Sequence, residues 1–221
     1  MATAGCTGPL STLDPAGPGG AVIAALWWAM LAGAALLFAL VMVLLWLAFR
    51  RTAPLARVPE RSWLLLGGLV LPAIVLTPLA VAGFILGERV FAPAEEAALR
   101  VEANGHRWRW TFAYPDAPQG PLTLNTLHIP AGETVEVLVS STDVIHSFWV
   151  PRLAGKIDAI PGRVNRIRLR AEQPGTYQGV CAEFCGTHHA EMGFLVIAHP
   201  PADYPAALAA ARGASGAGTA P

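Results

Sequence analysis

Two uncharged apolar runs near the N-terminus constrain this chain more than any other feature. Ala21 to Phe49 gives 29 residues without a charge, including LWWAMLAGAALLFALVMVLLWLAF, and Trp63 to Gly87 gives another 25. A helix needs about 20 apolar residues to cross the hydrocarbon core of a bilayer. Both runs are therefore expected as transmembrane α-helices, over residues 21–49 and 63–87, forming a helical hairpin. Pro72 and Pro78 in the second run are compatible with this, because neighbouring helices can satisfy the carbonyls that proline frees. The same runs explain a composition that is 54% hydrophobic and only 14% charged. A formal net charge of +0 lacks the basic excess of a nucleic-acid-binding protein, and that class is excluded.

The connection RRTAPLARVPERS, residues 50–62, holds Arg50, Arg51, Arg57 and Arg61 against one acid, Glu60, whereas residues 1–20 contain no basic residue. Basic loops stay on the cytoplasmic side, so both chain ends are expected outside. In a bacterium this is a multi-pass protein of the inner membrane with its termini on the periplasmic or outer face. The segment 1–20 is rich in Gly, Pro and Thr, and Ala4-Gly5-Cys6 resembles the end of a lipoprotein cleavage site. No apolar signal run precedes it. Two readings of Cys6 stay open, a lipidated residue or an ordinary exposed thiol, and a diacylglycerol mass on Cys6 distinguishes them.

After the second run the texture changes. From Leu99 onward, short runs such as LRVEANGHRWRWTFAYP, LTLNTLHIP, TVEVLVS, HSFWVP, VNRIRLRA, TYQGV and MGFLVIAHP are separated by Pro, Gly and polar turns. That spacing predicts an all-β sandwich or barrel over residues 88–200. In AGETVEVLVSS, alternation sends Val135, Val137 and Val139 to one face. Residues 201–221 are an Ala/Gly-rich, low-complexity tail that is expected to begin as a short helix and end disordered.

The chemistry concentrates in CAEFCGTHHAEM. Cys181 and Cys185 lie four residues apart, His189 follows after four more and Met192 after three, while His146 stands 35 residues before Cys181 at another strand-like run. A disulfide between the two cysteines and a tetrahedral zinc site of two Cys and two His are both compatible with the residue types. The spacing is not the Cys-x-x-Cys redox signature. Zinc has little use for a thioether, however, and soft thiolates with imidazoles and a weak Met ligand point to a copper electron-transfer centre. With one cysteine more than a mononuclear site needs, two thiolates can bridge two copper ions. His188, beside His189, and His106, His128 and His199, which have no cluster around them, read as structural or solvent-facing residues, and Glu191 reads as an exposed charge.

VIHSFWVP, GKIDAIPGRVN, CAEFCGTHHAEM and GHRWRWTFAYP, together with two N-terminal spans, closely resemble subunit II of the haem-copper cytochrome c oxidases. The resemblance covers roughly residues 10–200. It implies a cupredoxin-like Greek-key β barrel holding a binuclear copper A centre on His146, Cys181, Cys185, His189, Met192 and the main-chain oxygen of Glu183. It further implies that Trp108 accepts electrons from cytochrome c, and that the Glu183 side chain contributes to a magnesium site shared with the haem-bearing subunit I. By the same resemblance Asp158 and Arg163 face subunit I, and Asp143 lies near the docking face. Asp116 is a second candidate docking acid. The chain then counts as an enzyme only as part of the oxidase complex, where oxygen is reduced to water in subunit I. A membrane-tethered copper-delivery module is the alternative function, and a quinol-oxidase-type subunit is disfavoured by the complete ligand set.

Two positions depart from the family pattern. Relatives with a cytoplasmic proton channel carry a glutamate seven residues before the Leu-Pro proline of the second span, and counting back from Pro72 gives Leu65. Either Glu60 substitutes for it or protons enter elsewhere. From Glu88 onward there are 13 acids against 11 Lys and Arg, a slight acidic excess for the receptor of a basic cytochrome c. A small membrane-anchored cytochrome or a copper protein is the other candidate donor.

Overall fold

The computed structural model describes residues 4–50, 58–91, 99–117 and 122–216. Contacts divide the chain into two compact units, Ala25–Arg89 and the combination of Met1–Ala24 with Val90–Pro221.

The first unit is helical. Helix α1 runs Pro18–Phe49, three residues earlier than the apolar run suggests, because proline suits the first turn, where its missing N–H is not needed. Helix α2 (Glu60–Leu65) passes through a π segment, Leu66–Val70, into α3 (Leu71–Phe91). Pro72 accounts for the π segment. Its ring crowds the carbonyl four residues back, at Gly68, and the ladder widens so that Leu71 N–H donates to Leu66 O. The helical stretches Pro18–Phe49 and Glu60–Gly87 are long and apolar enough to cross a membrane, and no residue of their most apolar windows is buried. Leu36, Phe38 and Phe84 are among the large side chains left uncovered. Such surfaces suit lipid and not water. Arg50 lies 5.0 Å over the Trp46 ring. Glu60 and Leu65 sit at the two ends of α2, while Arg51 and Arg57 fall outside the described residues.

The second unit contains the expected β sandwich. One sheet orders β3 (Leu122–Leu124), β2 (Arg109–Ala113), β1 (Leu99–His106), β5 (Val135–Ser141) and β8 (Asn165–Leu169). The other orders β4 (Thr126–Pro130), β10 (Gly193–His199), β9 (Gly175–Cys181), β6 (His146–Trp149) and β7 (Lys156–Ala159). β1 with β5 and β4 with β10 are parallel, and the remaining pairs are antiparallel. Strand β7 was not expected from GKIDA, a short run bearing two charges. It forms by pairing with β6, from Trp149 opposite Lys156 to His146 opposite Ala159.

Alternation puts Val135, Val137 and Val139 into the core as predicted. Glu136 between them is buried too, and its carboxylate is met by Arg100 Nε at 3.3 Å from the register partner on β1. Between the sheets Trp110, Phe112, Phe148 and Phe194 form one aromatic cluster, with centroids 4.8 to 6.4 Å apart in the stacked, tilted and edge-on contacts that ring quadrupoles favour. Gly179 on β9 leaves room for it, since a Cβ there would overlap the Phe194 ring.

The N-terminal segment belongs to this unit. Ala16 N–H donates to Arg152 O and Gly20 N–H to Leu153 O, while Glu172 N–H donates to Ala16 O. Arg152 in turn reaches the Asp14 carboxylate at 3.1 Å and donates from Nε to Asp14 O at 2.7 Å. Gly17 and Gly20 make this approach feasible, because a Cβ on either would strike a backbone carbonyl. At the other end, helix α4 (Tyr204–Gly216) packs on β3 and β4 through buried Leu208. The tail expected to end disordered is helical to Gly216, and residues 217–221 lie outside the described residues.

Phe148 contacts three of the cluster's aromatic partners and is fully buried. Phe148→Ala is expected to destabilise the β unit by about 3–5 kcal/mol, read as a lowered denaturation midpoint by tryptophan fluorescence of the full chain in detergent.

Candidate metal centre

Strand pairing assembles the site at one rim of the sandwich. His146 opens β6 and Cys181 closes β9, two strands joined through the Phe148–Cys181 register. Ala182 N–H donates to Ser147 O, which fixes the departure of the following loop. That loop carries Cys185, makes a short 3₁₀ turn at His189–Glu191 and rejoins the sheet at Met192, whose carbonyl accepts from Cys181 N–H at 2.9 Å. A ring closed by that bond holds the donors of the loop together.

Inside it, Cys181 Sγ and Cys185 Sγ lie 3.8 Å apart, far beyond a covalent S–S bond. His146 Nδ1 is 3.8 Å from Cys181 Sγ, and His189 Nδ1 is 3.6 Å from Cys185 Sγ. Met192 Sδ is 3.7 Å from Cys185 Sγ, and the Glu183 carbonyl is 3.3 Å from Cys181 Sγ. His146, Cys181, Cys185 and Met192 are buried, and His189 is partly so. The ligating atoms of His146, Cys181 and Cys185 fall within 4.8 Å of one another. Each sulfur thus has its own imidazole. Burial, reinforced by the neighbouring Cys181, pushes the Cys185 thiol up to about 12. A thiol raised in this way binds a metal as thiolate only where the cation compensates its charge, which is the electrostatic condition of a thiolate metal site.

Asp143 orients the first imidazole. Its Oδ1 lies 2.8 Å from His146 Nε2, which directs Nδ1 toward Cys181. Its Oδ2 accepts from Arg107 N–H at 2.9 Å and from Arg107 Nε at 3.2 Å, and Val144 N–H adds a third donor residue. Burial opposes this carboxylate's charge, but the hydrogen bonds outweigh it and hold its pKa well below the usual carboxylate range. Gly105 gives the ring its space, as a Cβ there would stand 2.9 Å from His146 Cδ2.

Trp108, in the β1–β2 turn, is half-buried against the ligand loop. Its ring centroid is 4.6 Å from that of His188, and Gly186, at φ +125°, allows the indole to lie on the backbone. Both His188 and Glu191 are exposed, as the sequence suggested, and they lie 3.2 Å apart. His128 and His199 depart from expectation. Their rings stack at 5.2 Å with Nδ1 and Nε2 2.9 Å apart, and burial lowers both pKa values.

The remaining sequence-expected residues scatter. Glu183 has a half-exposed carboxylate 3.7 Å from Lys156, which also meets Asp158 at 3.4 Å. Arg163 is exposed in the turn between β7 and β8. Asp116 accepts from Arg100 N–H at the start of β1, roughly 20 Å of strand away from Trp108. Cys6 is exposed in a 3₁₀ turn, where Ser11 Oγ donates to its carbonyl. Sequence reasoning missed Gly105, Gly186, Lys156, and the use of Asp143 and His188 as supports. Only Asp143 and Glu191 left a local signal, each three residues from the histidine it meets.

Residues 121–199 match the family described as cytochrome c oxidase subunit II, periplasmic domain. A cytochrome c oxidase subunit 2 of Alkalihalophilus pseudofirmus is 39% identical over 143 residues, covering 62% of this chain and 41% of that one. That of Arabidopsis thaliana is 33% identical over 159 residues, covering 61% of each. The chain thus spans less than two thirds of these curated relatives. The periplasmic domain of subunit II of cytochrome oxidase from Bradyrhizobium japonicum superposes with a TM-score of 0.52 at 29% identity, covering 55% of this chain and 99% of that domain.

Asp143→Asn is expected to weaken metal retention at this site about 10- to 100-fold in chelator competition. The depressed pKa of Asp143 contributes stability present above the unfolded value of about 4 and lost as pH falls through the lower folded value. The stability gap between wild type and variant should therefore close in acid. Gly105→Ala, which crowds the His146 ring, is expected to cost about 1–3 kcal/mol in denaturant titration.

Proposed function

We propose that this chain, whose residues 121–199 match the cytochrome c oxidase subunit II periplasmic-domain family, belongs to that family and is the electron-accepting subunit of a membrane-bound haem-copper oxidase. It takes electrons from cytochrome c or a similar carrier and hands them to haem in subunit I, where oxygen is reduced to water. The observation that carries this reading is the pairing of two buried sulfurs with two imidazole nitrogens, each at 3.6 to 3.8 Å.

The donor set fits copper. His146, Cys181, Cys185, His189, Met192 and the Glu183 carbonyl would hold a binuclear copper A centre, and soft thiolates beside a thioether favour that metal over zinc. Such a centre supplies a one-electron couple shared between two ions. The chain's residues do the rest. Burial of Cys181, Cys185 and Met192 excludes water, and Asp143 fixes the ring of His146. Trp108 lies across Gly186 and His188 of the ligand loop and joins that loop to the outer surface. Glu183 offers one carboxylate to a magnesium ion shared with subunit I, with further ligands coming from that subunit and water. Lys156 would have to release it. Asp158 and Arg163 would face the same subunit, and Cys6 would carry the lipid if the terminus is processed.

The helices would lie in a bacterial inner membrane, with the β unit on the periplasmic side. Copper reconstitution of the full chain in detergent, followed by electron paramagnetic resonance, tests the centre. The expected spectrum shows hyperfine structure from one electron shared by two copper nuclei, and Cys185→Ser abolishes it. A spectrum of one isolated copper ion in the wild type sinks the proposal in favour of a copper-delivery module.

A further inference from the structure

The two oxygens of Asp143 serve different partners. Oδ1 lies 2.8 Å from His146 Nε2 and accepts from Val144 N–H at 2.7 Å. Oδ2 accepts from the Arg107 backbone N–H at 2.9 Å and from Arg107 Nε at 3.2 Å. One carboxylate therefore separates the imidazole of a candidate ligand from a guanidinium. Exposure rises along this path, from 0% for the His146 side chain through 14% for Asp143 to 48% for Arg107.

Besides His146, two basic side chains lie within ion-pair distance of Asp143 among the described residues. His106 Nδ1 is 3.4 Å from Oδ2, is also 3.2 Å from Thr142 Oγ1, and carries a charge only when protonated. A guanidinium is always charged. Arg107 is thus the permanent cation on this carboxylate.

An imidazole ligand whose other ring N–H is held by a carboxylate becomes a more basic ligand. A more basic ligand favours the oxidised, more positive state of a redox metal. The guanidinium on the far oxygen opposes that effect, because it draws carboxylate charge toward Oδ2 and away from the His146 N–H. Hydrogen bonds in series polarise one another where water is excluded, as it is at His146 and Asp143. Arg107 stands half in water, which keeps its influence modest.

We propose that Arg107 is a positioning residue for electron acceptance: acting through Asp143, its side chain sets the charge presented to His146 and raises the electron affinity of the metal centre. This rests on the reading of the site as a redox-active copper centre, and it adds a residue outside the ligand set. The backbone N–H of residue 107 keeps its bond to Oδ2 whatever non-proline side chain stands there. A neutral side chain at 107 therefore removes the charge while leaving the turn anchored.

The midpoint potential is measured by optical redox titration of the copper-loaded full chain in detergent, with copper in excess so that weaker retention does not empty the site. Arg107→Met should lower the reduction equilibrium constant about threefold to tenfold, tenfold being about 59 mV for one electron. Arg109→Met removes a neighbouring exposed cation that is not among the ion-pair partners of Asp143, and it should give a smaller shift. In an Asp143→Asn background, Arg107→Met should move the potential no further than Arg109→Met does in the wild type, because the link to His146 is cut. An unchanged potential in Arg107→Met, a shift no larger than that of Arg109→Met, or the same shift with and without the Asp143 carboxylate overturns the proposal. Where Asp143→Asn does not load, the comparison of Arg107→Met with Arg109→Met decides alone.

The electron paramagnetic resonance spectrum of the same wild-type sample tests the underlying reading separately. One isolated copper ion there overturns the copper A assignment, and the potentials of the same variants on that ion still decide the role of Arg107. A wild type with no redox couple overturns both.

Discussion

One carboxylate ties the site to its surroundings. Asp143 accepts from His146 Nε2 through one oxygen and from the backbone and side chain of Arg107 through the other, across 36 residues of sequence. The first contact turns the ring so that Nδ1 faces sulfur. The second anchors the turn that carries Trp108. A ligand and the surface beside it are thereby held by the same group, and hydrogen bonds to a charged acceptor are roughly twice as strong as neutral ones. The depressed pKa follows from this arrangement, since four donor groups are more than the burial of one carboxylate can offset.

The rest of the site depends on close backbone approach. Gly105 lets the His146 ring lie against β1, Gly179 lets Phe194 lie against β9, and Gly186 lets Trp108 lie on the ligand loop. Any Cβ at the first two positions would displace an aromatic ring that is packed on both sides. The aromatic cluster extends this to the metal rim, because Trp110 contacts Phe148, Phe194 and the ring of His146, the last at 6.1 Å. Interiors packed to crystal-like density transmit such shifts. The position of His146 is therefore a property of the whole sandwich as well as of its strand.

What the sequence made legible was local. The two apolar spans, the alternation of Val135, Val137 and Val139, and the sulfur and nitrogen donors within Cys181–Met192 are all patterns readable within short windows. What it hid was long-range. The β7 edge strand exists because β6 offers it a ladder, not because KIDA favours extension. The contact of Asp14 with Arg152 spans 138 residues, and that of His128 with His199 spans 71. Asp143 was expected near a docking face by resemblance to the family, and its part in orienting His146 was not read. Its partial burial comes from His146, three residues on, and from Arg107, which lies 36 residues away and outside any window around it.

The two-unit division bears on the membrane independently of loop charge. Residues up to the first turns of the first apolar helix and residues after the second pack into one unit, through the backbone bonds of Ala16 and Gly20 to Arg152 and Leu153 and the Asp14–Arg152 ion pair. Segments hydrogen-bonded to each other in one sandwich must share one side of any membrane the helices cross. An even number of crossings between them is then required, and two apolar helices supply it. The four arginines of residues 50–62 carry the charge bias expected of a cytoplasmic loop, which is compatible with the same arrangement. Packing and charge thus reach the same hairpin from different physics. Packing also adds a consequence that charge does not: the β unit closes over its own N-terminal segment only once both flanks of the two helices are on the same face.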